Sequence, residues 1–243
     1  MNTTIIQKSS SLLLDTVNTN VSEFQNFFQG WLVRQEHYLE ELRSALRTCD
    51  GSEDEDLRDL ITRVLAHYQE YFEEKSRIAN YDVSLVFSPP WFSSFERTFL
   101  WIAGFKPGLA FRIVGSSVGD MNQEQVENME RLKAETTVEE RELDNELARI
   151  QESVAASPIV AVAKRGEIPL RDGEYDAMES VIETLRGQME VVVANADMLR
   201  TRTAERVVEI LTPAQNLRFL TAVTELQIKI RMCGWQLDAQ RGR

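Results

Sequence analysis

Hydrophobic residues recur every third or fourth position through most of this chain, and this spacing places them on one face of an α-helix. The first such stretch begins at Ser22 and runs to about Arg47, and a second runs on to about Asn80. Their predicted core positions are Phe24, Phe28, Trp31, Tyr38, Leu42 and Leu46, then Leu57, Leu60, Ile61, Val64, Leu65, Tyr68, Tyr71 and Phe72. The first stretch is also a candidate interaction helix, through Phe28, Trp31 and Tyr38.

Two long helices are predicted in the second half of the chain. Asp120 and Gln123 suggest a cap that opens a helix to about residue 155, with a narrow apolar stripe. The other runs from about Glu174 to Leu211, and its apolar positions step by three or four without a miss, which predicts a core helix with two or three packing partners. These positions are Met178, Ile182, Leu185, Met189, Val192, Ala196, Leu199, Thr203 and Val207. Thr212 and Pro213 then start a final helix.

An aromatic segment from Ser88 to Gly108 lies between these two halves of the chain. The spacing of Phe95, Phe99 and Ile102 predicts a short buried helix, capped by Ser93 or Ser94 and stopped by a left-handed Gly104. Just before it, residues 83–87 suggest a short extended piece. Five aromatic residues are candidates either for structural core, which is favoured, or for the lining of an apolar ligand pocket: Trp91, Phe95, Phe99, Trp101 and Phe105.

The predicted fold class is all-α, a single helical bundle of six to eight helices with long antiparallel helix pairs. Residues 1–20, rich in Thr, Ser and Asn, are expected to form a flexible lead-in. One helical domain is expected over 21–238, with a tail over 239–243. The longest irregular connection is predicted between Ser157 and Gly173.

Composition narrows the function classes. The chain has 243 residues and a net charge of −12, which disfavours direct nucleic-acid binding because phosphate contacts need a basic surface. No apolar run is long enough to span a bilayer, and two cysteines without metal spacing indicate a reducing compartment. We therefore expect no membrane association, and a location in the nucleus, the cytoplasm or both.

The sequence offers little catalytic chemistry. His37 and His67 are its only histidines and stand in no metal-binding frame, so both are interpreted as surface or boundary residues. Neither a Gly-rich phosphate loop nor a nucleophile elbow is present. We expect no enzyme activity, metal or cofactor. The acidic helix over 120–155 is either a docking surface for a basic partner or a solvated face, and the solvated face is favoured.

Several ordered motifs resemble the plant seed-dormancy control domain, which occurs in Delay of Germination proteins and in the C-terminal half of TGA-type bZIP transcription factors. The similarity covers about Val21 to Asp238. The motifs that carry it are Phe27-Phe28-Gln29-Gly30-Trp31-Leu32, the run from Trp91 through Phe95-Glu96-Arg97-Thr98-Phe99-Leu100-Trp101-Ile102-Ala103-Gly104-Phe105-Lys106-Pro107, Pro158-Ile159 with Val162-Ala163, Ala196-Asp197-Met198-Leu199-Arg200 and Ile210-Leu211-Thr212-Pro213-Ala214-Gln215.

The resemblance implies a non-enzymatic plant regulatory protein that acts by protein–protein interaction in seed dormancy, abscisic acid or developmental signalling. Its implied partners are protein phosphatases 2C, calmodulin and bZIP factors, and a homodimer is a further alternative. A second hypothesis is a transcriptional regulator with sequence-specific DNA binding, direct or through TGA-type partners. A third is a sensor of an apolar or tetrapyrrole ligand. Haem binding is not carried over, because Leu226 to Arg231 contains no histidine.

Overall fold

The computed structural model describes residues 2–48, 54–156, 160 and 174–241, excluding the side chains of 2–18, 156 and 174. Eight α-helices lie in these ranges, and no strand does, so the all-α class is confirmed. The helices are α1 Asn2–Thr48, α2 Asp54–Tyr81, α3 Ser84–Phe87, α4 Ser94–Arg97, α5 Leu109–Ser117, α6 Gln123–Ser153, α7 Glu174–Ile210 and α8 Pro213–Arg241. A 3-10 turn, Val154–Ala156, follows α6.

Backbone contacts divide the chain into two compact units. The first unit contains Met1–Thr98 together with Pro213–Arg243, and the second contains Phe99–Thr212. The sequence did not indicate this division, whose first boundary falls inside the aromatic segment. Each unit therefore has its own half of that segment.

In the first unit, α1, α2 and α8 pack against one another, α3 packs on α2, and α4 packs on α8. The core contains aromatic rings from the described part of α1 together with leucines of α1 and α2. Phe24 and Trp91 have ring centroids 4.2 Å apart, and Trp31 is fully buried and stacks on His67 at 4.5 Å. Burial of these large rings supplies much of the apolar surface that the three helices remove from water.

A polar network lies within this core and joins all three long helices. Gln35 of α1 donates to the Tyr68 hydroxyl of α2 at 2.5 Å and to Gln227 of α8 at 3.1 Å. The same hydroxyl donates to Gln227 at 3.2 Å and lies 3.2 Å from the Thr224 hydroxyl. Burial raises the pKa of Tyr68, so the hydroxyl stays protonated. Such a network fixes the register of the three helices, because these hydrogen bonds form together in one arrangement only.

In the second unit, α6 and α7 form a long antiparallel pair, and α5 packs against α7. The Thr136 and Thr203 hydroxyls are 3.5 Å apart, and Gln125 donates to the Ile210 carbonyl at 2.8 Å. At the edges of the pair, arginines of α7 bind carboxylates of α6: Arg206 pairs with Glu135 at 2.6 Å, and Arg202 pairs with Glu139. The two helices are thus held together by an apolar seam and by ion pairs between arginines of α7 and carboxylates of α6.

The prediction that α7 is a core helix is wrong for its first half. Val192, Ala196, Leu199, Thr203 and Val207 are buried, whereas Met178, Leu185 and Met189 are half-buried and Ile182 is 51% exposed. With Thr136 opposite Thr203, the end of α6 at Ser153 comes level with about Arg186 of α7, at equal rise per residue. The earlier turns of α7 therefore extend beyond the end of α6.

Several predicted boundaries also differ from the structure. The first helix begins at Asn2 rather than Ser22, since no Pro or Gly interrupts its N-terminal turns, and the last continues to Arg241, inside the expected tail. Residues 84–87 form one helical turn rather than an extended piece. Asn122, not Asp120, caps α6 through a capping box with Gln125. The expected connection over 157–173 lies almost entirely outside the described residues.

The polar network predicts a specific stability effect at Tyr68. The Tyr68→Phe variant leaves the Gln35 amide without its 2.5 Å acceptor. We expect the free energy of unfolding to fall by about 1–3 kcal/mol, measured by urea denaturation. Tyr175→Phe, at an exposed position on α7, is the control and should match the wild type. Equal stability of Tyr68→Phe and wild type would contradict a structural role for the network.

Candidate functional site: the aromatic segment and its anchors

The first half of the aromatic segment forms a single helical turn that is tied to α8. Ser93 caps α4, because its hydroxyl accepts from the Glu96 amide at 3.1 Å while the Glu96 carboxylate accepts from the Ser93 amide at 2.8 Å. The same carboxylate pairs with the buried Arg231 of α8 at 2.9 Å. A Cβ built on Gly234 would lie 2.0 Å from the Ser93 hydroxyl. This glycine is therefore required for the close approach of α4 and α8.

The second half of the segment is a tight turn rather than a helix. Trp101 and Gly104 exchange both backbone hydrogen bonds, at 2.6 and 3.1 Å. Between them Ile102 and Ala103 adopt positive φ angles of 42° and 60°, a conformation that costs roughly 1–3 kcal/mol for a non-glycine residue. The predicted helix through Ile102 is therefore wrong: α4 ends at Arg97, and the left-handed residues are Ile102 and Ala103 rather than Gly104.

A buried arginine of α7 holds this turn in place. Arg200 donates to the carbonyls of Phe105 at 2.7 Å and Ile102 at 2.9 Å, and also to that of Trp101. Its remaining nitrogen pairs with Asp197 one turn earlier, at 2.5 Å. A guanidinium has five donors in a fixed plane, so one side chain can hold three carbonyls and offset the strain of the turn.

Carboxylates of α6 anchor the other side of the turn. The Trp101 indole donates to Asp144 at 2.6 Å, and the Gly108 amide donates to the buried Glu140 at 2.6 Å. Lys106 pairs with Asp144 at 3.1 Å, and its ammonium lies 5.2 Å from the Trp101 ring centroid. These groups satisfy one another. We interpret them as scaffold that positions the segment against α6 and α7.

The five candidate aromatic residues are divided between the two units. Trp91 and Phe95 belong to the first unit, and Phe99, Trp101 and Phe105 belong to the second. Trp91 is buried, Phe95, Trp101 and Phe105 are half-buried, and Phe99 is 43% exposed. The exposure of Phe99 follows from the end of α4 at Arg97, which removes the predicted helical face.

The candidate interaction helix is also different from its prediction. Phe28 and Trp31 are buried within the first unit, and only Tyr38 is partly exposed. Next to Tyr38, Gln35 and Leu39 occupy the buried positions instead. The buried rings of Phe28 and Trp31 therefore stabilise the core and present no docking surface in this structure.

His67 is buried, so its interpretation as a surface or boundary residue is wrong. His37 is exposed, as interpreted. The His67 ring stacks on Trp31, and neither of its nitrogens has a hydrogen-bond partner among the described residues. Burial, with Arg34 as the smaller cause, lowers the pKa of His67 to about 4. Within the described ranges no group of three or more His, Cys, Asp or Glu side chains is arranged to hold a metal ion. No helix there has the length and hydropathy to cross a bilayer.

The buried His67 predicts a pH-dependent stability. Its pKa is about 4 in the folded chain and about 6.5 in an unfolded one, so the unfolded state binds the proton first as the pH falls. Its contribution is complete above about pH 6.5 and decreases toward pH 4, with a slope of up to about 1.4 kcal/mol per pH unit. His67→Phe keeps the ring stack and should remove this part of the pH dependence in urea denaturation.

The exposed His37→Gln variant keeps His67 and is the control for this experiment. It should retain the wild-type dependence of unfolding free energy on pH between 6.5 and 4. If His67→Phe and wild type gave the same dependence, His67 would titrate alike in the folded and unfolded chains, and its burial would be contradicted.

The Arg200 anchor predicts opposite effects at two glycines of the second unit. A Cβ on Gly104 would lie 2.7 Å from the Arg200 guanidinium carbon, so Gly104→Ala should lower the free energy of unfolding by about 1–3 kcal/mol. Gly187 of α7 has no atom within 4 Å of such a Cβ, so Gly187→Ala should raise it by about 1 kcal/mol. Thermal unfolding followed by circular dichroism measures both. A Gly104→Ala variant as stable as Gly187→Ala would refute the anchor.

Comparison with known proteins places the chain in a family. A family model described as Seed dormancy control (DOG1) matches residues 38–116. The chain is 35% identical over 223 residues to Protein ZW2 of Arabidopsis thaliana, which covers 90% of this chain and 99% of that protein. It is 36% identical over 221 residues to Protein RESPONSE TO ABA AND SALT 1 of the same plant, covering 88% and 96%.

Transcription factors share the same region. Over 217 residues the chain is 30% identical to Transcription factor TGA7 of Arabidopsis thaliana, covering 89% of this chain and 56% of that factor. These similarities confirm the resemblance that the motifs indicate, and they extend well beyond the matched residues 38–116. The chain belongs to the Seed dormancy control family.

Proposed function

We propose that this protein is a non-enzymatic plant regulator that acts through protein–protein contacts in responses to abscisic acid and salt. The observation that carries the proposal is its near full-length similarity to Protein RESPONSE TO ABA AND SALT 1, at 36% identity. The similarity covers 88% of this chain and 96% of that protein, so it is not limited to one motif. A role in seed dormancy or development, suggested by the family description, is a further branch of the same proposal.

The chemistry of the described residues is consistent with such a role. Four of its polar side chains in or beside the cores, Arg200, Glu140, Tyr68 and Arg231, bind other groups of the same unit. They hold helices and a turn in place and do not converge on a space where a substrate would react. Regulation by contact needs an outer surface instead, with apolar anchors and charged edges.

Partners and location are inferred from the family. Protein phosphatases 2C, calmodulin and bZIP factors are the candidate partners that the resemblance implies, and the nucleus and the cytoplasm are the proposed locations. The Transcription factor TGA7 similarity favours the nucleus, since a transcription factor works there.

A second function, regulation of transcription through TGA-type bZIP partners, is favoured by the same similarity. The chain spans 56% of Transcription factor TGA7, and its net charge of −12 opposes direct binding to DNA phosphates. A gel-shift series with TGA7 on its DNA site distinguishes the two routes. Binding through a partner predicts a slower TGA7 complex in the presence of the chain and no shift by the chain alone at low salt.

The proposed signalling role predicts altered hormone sensitivity in plants. Arabidopsis seedlings that express the chain should show at least a twofold shift in the dose of abscisic acid or sodium chloride that halves germination. A Trp31→Ala variant, which empties a fully buried core position, should lose the effect because it costs about 3–5 kcal/mol of stability. Dose curves identical to those of empty-vector plants, with the wild-type chain present at normal abundance, would contradict the proposal.

A further inference from the structure

The first half of α7 carries an apolar stripe that no helix in the described part of the chain covers. Its members are spaced three and four residues apart and continue the buried seam of the second half in the same register. They are Tyr175, Met178, Ile182, Leu185 and Met189. Tyr175 is 56% and Ile182 is 51% exposed. An exposed stripe of this kind marks a surface for a partner more often than a surface left to water.

The edges of this stripe differ in charge. Helical spacing places Asp176, Glu179, Glu183 and Glu190 along one edge, with one cation, Arg186, which pairs with Glu190 at 3.2 Å. Between Tyr175 and Glu190 the opposite edge is uncharged and carries Ala177, Val181 and Gln188. One edge of the stripe therefore carries four carboxylates and one guanidinium, so this edge is acidic.

The pairing of α6 with α7 shows which partner chemistry suits α7. Along its buried half the apolar seam is matched by an apolar stripe of α6, and its edge cations Arg202 and Arg206 are matched by Glu139 and Glu135. In the uncovered half this edge carries the uncharged Val181 and Gln188, and Glu179 and Glu183 lie along the other edge. The complementary helix must then carry lysines or arginines beside its apolar stripe.

We propose that Tyr175 to Glu190 of α7 is a docking surface for a basic amphipathic helix of a partner protein. The partner's apolar residues lie on Met178, Ile182 and Leu185, and its cations pair with Glu179 and Glu183. A second copy of this chain fits less well, since it would bring another acidic edge from a protein of net charge −12. This inference rests on the proposed function and specifies where contact occurs.

A designed peptide provides the probe. It has about three heptads, with Leu at the apolar positions and Lys at the flanking ones, and its counterpart has Glu in place of Lys. Fluorescence anisotropy with the full chain should detect the Lys peptide, with an affinity that falls as salt rises. The Glu peptide should not bind. Absence of Lys-peptide binding at low salt overturns the proposal.

Matched variants locate the binding surface. Ile182→Ser with Leu185→Ser should weaken the Lys peptide at least tenfold, because it removes the central apolar anchors. Val33→Ser with Val138→Ser, at exposed positions on α1 and α6, should change it less than twofold. Circular dichroism melts check that all variants remain folded. Equal weakening by both pairs would show that the peptide adheres without a defined surface.

Charge reversal tests the acidic edge separately. Glu179→Lys with Glu183→Lys should weaken the Lys peptide at least tenfold and reduce its salt dependence. Glu36→Lys with Glu40→Lys on α1 makes the same change in net charge at the same spacing and should have a much smaller effect. If the two reversals had equal effects, the overall charge of the chain would explain the binding and the edge would not.

Other occupants of the stripe have their own outcomes. A dimer in light scattering that Ile182→Ser with Leu185→Ser converts to monomer would assign the surface to a second copy and overturn the proposal. The cysteine of an Ile182→Cys variant could also react slowly with a thiol reagent in the peptide-free monomer, and react fast once residues 157–173 are deleted. That result would show that the chain itself covers the stripe, and it would overturn the proposal.

The plant assay separates failure of this inference from failure of the proposed function. If Ile182→Ser with Leu185→Ser no longer binds the peptide but alters hormone response as the wild type does, the surface is wrong and the function stands. If the wild type binds the peptide but leaves hormone and salt responses unchanged, the surface stands and the proposed function is wrong.

Discussion

The structure depends on the requirement that each long amphipathic helix cover its apolar stripe with other helices, because exposed apolar surface destabilises the folded chain by about 25 cal/mol per Å² relative to its burial. Three helices meet this requirement jointly in the first unit, where α1, α2 and α8 pack against one another. In the second unit α6 covers only part of α7, which has 37 residues against 31. The stripe before Val192 is what remains uncovered by helices in the described residues.

Two buried arginines set the geometry of the aromatic segment around these helices. Arg231 binds the cap of α4 through Glu96, and Arg200 binds the carbonyls of the turn at Ile102. Each arginine comes from a late helix of its own unit, far from the segment in sequence. The turn exists only because such a distant side chain compensates its positive φ angles, so its conformation is a property of the folded unit rather than of the local sequence.

The periodicity of the sequence was sufficient to predict the long helices, the Ser93 cap and the start of α8 at Pro213, because these features depend on local spacing and capping chemistry. The buried face of α1 was mistaken at Tyr38, since Gln35 replaces an apolar residue there and its amide nitrogen donates to Tyr68 and Gln227 of other helices. The turn at Ile102 was missed for the same reason, because its stabilising contacts lie 98 residues away. Periodicity also cannot show where a partner helix ends, and so the exposed half of α7 was predicted as core.

Solvent exposure of this stripe is the central claim of the account. Methyl-group NMR of the isolated chain with a soluble nitroxide measures it directly, since the probe broadens only methyl groups that it can approach. The account predicts strong broadening for Ile182 and Leu185 and little or none for Val192 and Leu199. Equal protection of all four side chains in the monomer would contradict it, because α7 would then have no face left for a partner.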